Sequence, residues 1–176
     1  VPGIPAQAPG STVMIFSAIP WTLAGGLFGP FAGAALGMFG GLLRGVWDTH
    51  SIFSIVEFGI LGAVFAVDTR QRYRTPLYNL LRQPLFNVVF LTLIHALLFI
   101  VSAVTTVSAS PAERLDYAFS NLGAASFAFG IEMLIAGFAA QVISTVFPRL
   151  WGGRGALQPS PAEKSIETRF VSGAGA

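Results

Sequence analysis

The 176-residue sequence contains no cysteine, which excludes disulfide bridges and thiolate chemistry and gives no indication of redox compartment. Charge is also scarce. Only 10% of the residues are Asp, Glu, Lys or Arg, whereas soluble domains average about 25%. Hydrophobic residues make up 53% of the chain, and several segments of about 18 or more residues carry almost no charge. We therefore expect an integral membrane protein with one compact domain.

Catalytic and metal-binding motifs are absent from the sequence. There is no GxxxxGK[ST] phosphate loop, no GxSxG nucleophile motif and no HExxH zinc motif. The two histidines, His50 and His95, are too far apart in sequence to indicate a metal site. We expect no enzymatic activity and no metal in this chain, and the sequence does not identify a cofactor.

Glycine recurs at every fourth position between residues 25 and 45, and the residues between are almost all apolar. In water, interior glycine costs a helix about 1 kcal/mol relative to alanine, but in lipid this spacing allows helix backbones to pack closely. We expect the first two spans to form a close hairpin along this glycine seam: Gly25, Gly29, Gly33, Gly37, Gly41 and Gly45.

The hydrophobic segments and their turn signals predict an all-α, polytopic membrane bundle of about five transmembrane helices with short interfacial and C-terminal helices. Pro20 interrupts the first span and predicts a kink, and Gly29-Pro30 marks the next turn. Ser110 and Glu113 have the spacing of a capping box, which predicts the start of the last span. The five spans are expected at about residues 11–29, 30–47, 52–67, 84–108 and 111–147.

The remaining segments define the expected domain organisation. Residues 1–10 contain three prolines and predict an irregular lead-in, residues 11–150 form the membrane domain, and residues 151–176 form a cytoplasmic linker and short helix. Pro76–Arg82 predicts an interfacial helix, and a second Ser-Pro-Ala-Glu at 160–163 predicts a capped helix that continues to about Phe170. The lack of an initiator methionine at Val1 indicates a processed or truncated N-terminus.

Basic residues predict the orientation in the membrane. Segment 69–83 contains four arginines and the segment after 148 contains four basic residues, whereas 109–117 contains only Arg114. Both basic segments should therefore be cytoplasmic, which gives a multi-pass cell-membrane protein with its N-terminus outside and its C-terminus inside. The arginines of 69–83 are expected to contact anionic lipid, and no nucleic-acid partner is expected.

Four ionisable residues fall inside predicted spans: Arg44, Glu57, His95 and Glu132. Such residues usually face a bundle interior or a wet cavity. Arg44 and Glu57 should reach similar depth on either side of the 48–51 turn, which predicts a salt bridge; binding of an anionic or zwitterionic ligand is the alternative. His95 and Glu132 both lie near mid-membrane and are expected to pair, either as a ligand or proton-linked contact or as a simple interhelical hydrogen bond.

Asp48 and His50 lie in the turn after Arg44. Together the three residues could form a polar vestibule at the outer mouth, or the turn could be solvated and simply cap the third helix. The candidate ligand-binding residues are therefore Arg44, Asp48, His50, Glu57, His95 and Glu132.

The run from Leu27 to Arg44, with its Gly-Pro, spaced glycines and terminal arginine, resembles the GPxxGxxxGxxGGLxR signature of the bacterial five-transmembrane LytS-type sensor module. The following Glu57-Phe-Gly-Ile-Leu-Gly is similar to the next helix of that family. The resemblance covers about residues 11–150. It implies a membrane receptor placed before histidine kinase or cyclase output domains, with any such activity in a domain outside this chain. A more distant resemblance is to the substrate-binding subunits of vitamin transporters.

The resulting expectation is a sensory or ligand-binding module that relays a signal to the cytoplasmic segment after Ser160. Because sensor modules of that family continue into an output domain, we expect either a piece of a longer receptor or a stand-alone relative. Two alternatives stay open: a transporter substrate-binding subunit, and a structural subunit of an energy-converting or photosynthetic complex in which His95 could ligate a pigment. A small-molecule ligand and a homodimer or larger complex are compatible with each.

Overall fold

The computed structural model describes residue 14 and residues 16–153 and 156–160. This part of the chain is helical, and its only β pairing is an isolated bridge between Tyr73 and Gln158. The elements in chain order are α1 (Ile19–Phe28), α2 (Pro30–Arg44), a π-helical turn (Gly45–Thr49), α3 (Phe53–Arg70), α4 (Pro76–Leu81), α5 (Pro84–Thr106) and α6 (Pro111–Val146).

Local sequence signals determine where most of these helices begin. Proline occupies the first position of α2, α4, α5 and α6, where its missing N–H removes no helical hydrogen bond. The capping box predicted at the start of α6 is confirmed: the Ser110 hydroxyl accepts from the Glu113 backbone N–H, and the Glu113 carboxylate accepts from the Ser110 N–H. The predicted interfacial helix Pro76–Arg82 corresponds to α4.

The glycine seam packs on α3, not mainly between the first two helices as predicted. A Cβ at Gly33 would lie 2.6 Å from the Gly62 carbonyl oxygen, and one at Gly45 would lie 2.8 Å from that of Ser51. A Cβ at Gly37 or Gly41 would overlap the carbonyl oxygens of α3. Because glycine has no Cβ, the backbones of α2 and α3 can touch along most of their length, and no other residue fits at these positions.

α1 is a short helix at the centre of the bundle. It contacts α2, α3 and α6, and its Trp21 is fully buried against the edges of the Phe58 and Phe65 rings. The predicted kink at Pro20 is wrong, because α1 starts at Ile19 and Pro20 lies in its first turn, where proline is tolerated. Trp21 therefore lies on an internal surface of the bundle.

Two helices in the described residues, α5 and α6, are long and apolar enough to cross a membrane. α5 has 23 residues and α6 has 36, or about 54 Å, against a hydrocarbon core about 30 Å thick. α1 is apolar but has only 10 residues, about 15 Å. The antiparallel α5–α6 pair continues beyond the other helices, where Ala103, Val107 and Ala118 form a second small core.

Candidate functional site

Arg44, at the C-terminal end of α2, bonds to two carboxylates inside the bundle. Its Nη1 lies 2.7 Å from Oε2 of Glu132 in α6, and its Nε lies 3.2 Å from Oδ2 of Asp48 in the π-helical turn. Its guanidinium carbon also lies 5.3 Å from the centroid of the Phe58 ring, a cation–π contact. The positive charge of Arg44 is therefore satisfied on three sides.

Glu132 is fully buried and uses both carboxylate oxygens. Besides the Arg44 guanidinium, Oε2 accepts a hydrogen bond of 2.9 Å from the Ser17 hydroxyl, and Oε1 accepts one of 2.8 Å from the Met14 backbone N–H. A buried carboxylate is stable only when it is paired and hydrogen-bonded in this way. The turn that precedes α1 is thus attached to α6 through one carboxylate.

Glu57 of α3 and His95 of α5 form a second pair. Oε1 of Glu57 and Nδ1 of His95 are 2.6 Å apart, and both residues are buried. The two atoms are in close contact without the alignment of a hydrogen bond, and neither forms a hydrogen bond elsewhere in the described part of the chain. The imidazole ring stacks on Phe129 of α6 with the ring centroids 4.1 Å apart. His95 therefore links α3, α5 and α6.

Two aromatic rings join the Arg44–Glu132 and Glu57–His95 contacts into one cluster. Phe58, which follows Glu57, contacts the Arg44 guanidinium, and Phe129, one turn before Glu132, contacts His95. The Phe58 and Phe129 rings meet edge to face with centroids 6.0 Å apart. We call this set, contributed by four helices and the π-helical turn, the polar cluster: Arg44, Asp48, Glu57, Phe58, His95, Phe129 and Glu132.

Both predicted pairings are wrong, because the partners are exchanged. Arg44 pairs with Glu132 and not with Glu57, and His95 pairs with Glu57 and not with Glu132. Counting residues from a turn gives the depth of a side chain but not the side of the helix on which it lies. Since the α2–α3 contact is filled by glycine and backbone, Arg44 and Glu57 point away from it toward α6 and α5, respectively.

The predicted outer vestibule is only partly present. Asp48 reaches Arg44, but His50 is exposed, its Nδ1 lies 3.2 Å from the Asp48 carbonyl oxygen, and its backbone is left-handed with φ 50°. His50 lines an open groove of about 120 Å³ with Leu42, Gly45, Val46, Ser51, Ile52 and Ile55. His50 is therefore separate from the polar cluster.

A second set of contacts lies at the opposite end of α1. The Arg70 guanidinium donates to the carbonyl oxygens of Gly26 and Leu27, at 2.9 and 3.1 Å. The Gly152 N–H also donates to Gly26, and the Trp151 side chain is buried against it. Gln158 then pairs with the backbone of Arg72 and Arg74. We call residues 151–153 and 156–158 the strap.

Asp68 lies in the last turn of α3, one residue beyond the third predicted span, and close to the start of α5. Burial raises the pKa of its carboxyl to about 6, and a hydrogen bond from the Asn87 side chain acts in the opposite direction. This group therefore changes charge in a pH range in which histidine also titrates.

Sequence reasoning missed the aromatic and backbone members of the site. Ser17 and Met14 lie in the predicted first span, where no contact with Glu132 was predicted, and Phe58 and Phe129 are two of 16 phenylalanines. The insertion of the Trp151 side chain beside Gly26 was also not predicted. The adjacency of Phe58 to Glu57, and of Phe129 to Glu132 by one turn, was the available signal. The capped helix predicted after Ser160 lies outside the described residues.

Comparison of the chain with protein-family models, with curated proteins and with solved structures gave no match.

Proposed function

We propose that this chain is a multi-pass membrane sensory module in which the polar cluster receives a signal and α1 transmits it to the strap. The observation that carries the proposal is the cluster itself. Five ionisable side chains from α2, the π-helical turn, α3, α5 and α6 come together inside the bundle. Ionisable groups at such depth in a membrane protein are costly and generally functional.

The position of α1 supports a relay from the cluster. Immediately before α1, Ser17 and the Met14 N–H bond to Glu132, and the last turn of α1 carries the Gly26 carbonyl that holds the strap. A helix of 10 residues spans about 15 Å and moves as one rigid body. A change at Glu132 would therefore reach the strap through displacement of α1. This relay requires α1 to have two arrangements that differ in their contacts with Glu132 and with the strap.

Five spans in the orientation predicted from the basic residues are part of this proposal. In that arrangement the polar cluster lies toward the outer side and the strap lies toward the cytoplasm, next to the arginines of 69–83. The absence of cysteine allows a direct test, because any introduced cysteine is unique. Ser108→Cys should react with an impermeant maleimide added outside the cell, and Asn79→Cys should react only after permeabilisation. The reverse pattern would contradict the orientation.

The relay is tested with a nitroxide label at Leu157→Cys, an exposed position in the strap. The paired variant Arg44→Met/Glu132→Met removes both charges of one ion pair and should change the mobility of the label in nanodiscs. Arg114→Met is the matched control, because within the described residues Arg114 bonds to carbonyls at the far end of the α5–α6 pair. An unchanged spectrum in the paired variant, or the same change in both variants, would contradict a relay.

The rival functions give different outcomes in native mass spectrometry of protein released gently from its membrane. A sensory module should appear joined to an output region or as a dimer. Release with a membrane coupling protein and ATPases would favour a transporter substrate-binding subunit. Release only within a stoichiometric multi-subunit complex would favour a structural subunit.

A further inference from the structure

The groups of the polar cluster are in direct contact, which restricts the size of any ligand. Glu57 Oε1 and His95 Nδ1 are 2.6 Å apart, and Arg44 Nη1 and Glu132 Oε2 are 2.7 Å apart. Neither pair leaves space for an atom between its members. A ligand that acts at these pairs must therefore either separate the helices or be a proton, which needs no cavity.

The charge of the cluster also favours a cation over an anion. The cluster contains three carboxylates and one guanidinium, so with all three carboxylates ionised its formal charge is −2 when His95 is neutral and −1 when it is protonated. Arg44, the group expected from sequence to attract an anionic ligand, is already bound to two of the carboxylates. A further negative ligand would be repelled, and an added proton would reduce the excess charge.

We infer that the proton is the ligand of this module, and that it binds at the contact between His95 and Glu57. This inference rests on the proposed sensory function and names its signal. Histidine is the side chain that ordinarily changes charge between pH 5 and 8. Because the contact joins α3 to α5, gain or loss of the proton alters the attraction between these helices. A population shift follows only if the two arrangements differ in their affinity for the proton.

The charged surroundings of His95 come from every neighbouring element. α3 contributes Glu57, α6 contributes Glu132, and α2 with the π-helical turn contributes Arg44 and Asp48 through Glu132. α4 packs near the start of α5 and carries Tyr78. The other ionisable side chains of α3 and α6 are at least eleven residues from Glu57 or Phe129 along their helices: Asp68, Arg70, Glu113, Arg114, Asp116 and Tyr117.

The first test is a histidine titration by NMR, for which the chain supplies its own reference. With ¹⁵N-labelled histidine in nanodiscs, His50→Gln identifies the signal of exposed His50, and the second signal is His95. An Asp68→Asn background removes the other group that titrates near pH 6. We expect the His95 signal to change with pH and Glu57→Gln to move its midpoint, while the midpoint of His50 is the same in both proteins.

A second measurement connects the proton to the relay. In the same background, the mobility of the label at Leu157→Cys should change with the midpoint of His95, and His95→Gln should abolish this change. A His95 that keeps one charge state from pH 5 to 8 would overturn the inference. That titration needs no cluster variant, so it stays decisive even if Glu57→Gln fails to fold.

The two proposals fail separately. If the label responds to Arg44→Met/Glu132→Met but not to pH, the proton is the wrong ligand and the relay is supported. If His95 titrates but the label responds to neither perturbation, both the proton-driven relay and the proposed sensory function are contradicted.

Discussion

The close contact between α2 and α3 predicts the cost of adding a side chain between these helices, which a matched pair of substitutions can measure. A Cβ added at Gly37 would overlap the Phe58 carbonyl oxygen and lie 2.9 Å from its carbon, whereas ordinary Cβ contacts are 3.4–4 Å. α3 would have to withdraw by at least 0.5 Å, because the obstacle is backbone and not a movable side chain. At Gly123 of α6, the same Cβ would meet nothing within 4 Å.

The two variants share the same gain in helix propensity, so their difference measures the packing cost. Overpacking of a well-packed contact costs about 1–3 kcal/mol, and replacement of helical glycine by alanine gains up to about 1 kcal/mol. Gly123→Ala should therefore be as stable as the wild type or more so. The free energy of unfolding of Gly37→Ala should be about 1–3 kcal/mol below that of Gly123→Ala.

The measurement is unfolding in mild detergent with increasing SDS, followed by circular dichroism, on the wild type and both variants. Gly37→Leu extends the series and should lose both stability and the response of the strap label. If Gly37→Ala were as stable as Gly123→Ala, the backbone contact between α2 and α3 would not exist as described. An unchanged response in Gly37→Leu would count against the coupling of this contact to signalling.

Three further predictions concern charge and capping. The Asp68 carboxyl binds its proton more tightly in the folded protein than in the unfolded chain. Its contribution to stability is therefore present below about pH 4 and is lost as the pH rises through about 6. Asp68→Asn should remove this part of the pH dependence of Tm. Ser110→Ala should lower the free energy of unfolding by about 1 kcal/mol through loss of the α6 cap, measured by the same SDS titration. Arg44→Met alone should lower the free energy of unfolding by about 3–5 kcal/mol, because Glu132 keeps an unpaired buried charge. The double variant Arg44→Met/Glu132→Met should lower it by less. Equal losses in the two variants would contradict the ion pair.

Helix ends could be predicted from the sequence because their signals are local. Ser110 with Glu113 marks the start of α6, and prolines at 76 and 84 mark those of α4 and α5. The depth of the ionisable residues was also sufficient to select members of the polar cluster. By contrast, the partner of each ionisable residue depends on which neighbouring helix its own helix face points toward. The sequence pattern around Arg44 and Glu57 does not identify that neighbouring helix.

The seam illustrates the same distinction between local spacing and tertiary contact. Glycine at every fourth residue indicates a surface for close packing, but α1 and α3 are both available to cover it. α3 covers most of it because Gly62 and the backbone carbonyls of Ser54 and Phe58 provide a matching backbone surface. The five-span topology stays a prediction, and within the residues that the structure describes, α5 and α6 are the two helices with the length and composition for crossing a membrane.

The double pairing of Arg44 has a consequence for biogenesis if the chain enters the membrane during synthesis. Glu132 follows Arg44 by 88 residues, which corresponds to on the order of ten seconds of translation. Asp48 follows Arg44 by one helical turn, so it can neutralise the guanidinium as soon as α2 and the π-helical turn form. Asp48 would thus serve as the first partner of Arg44 during insertion, before the arrival of α6 completes the buried pair.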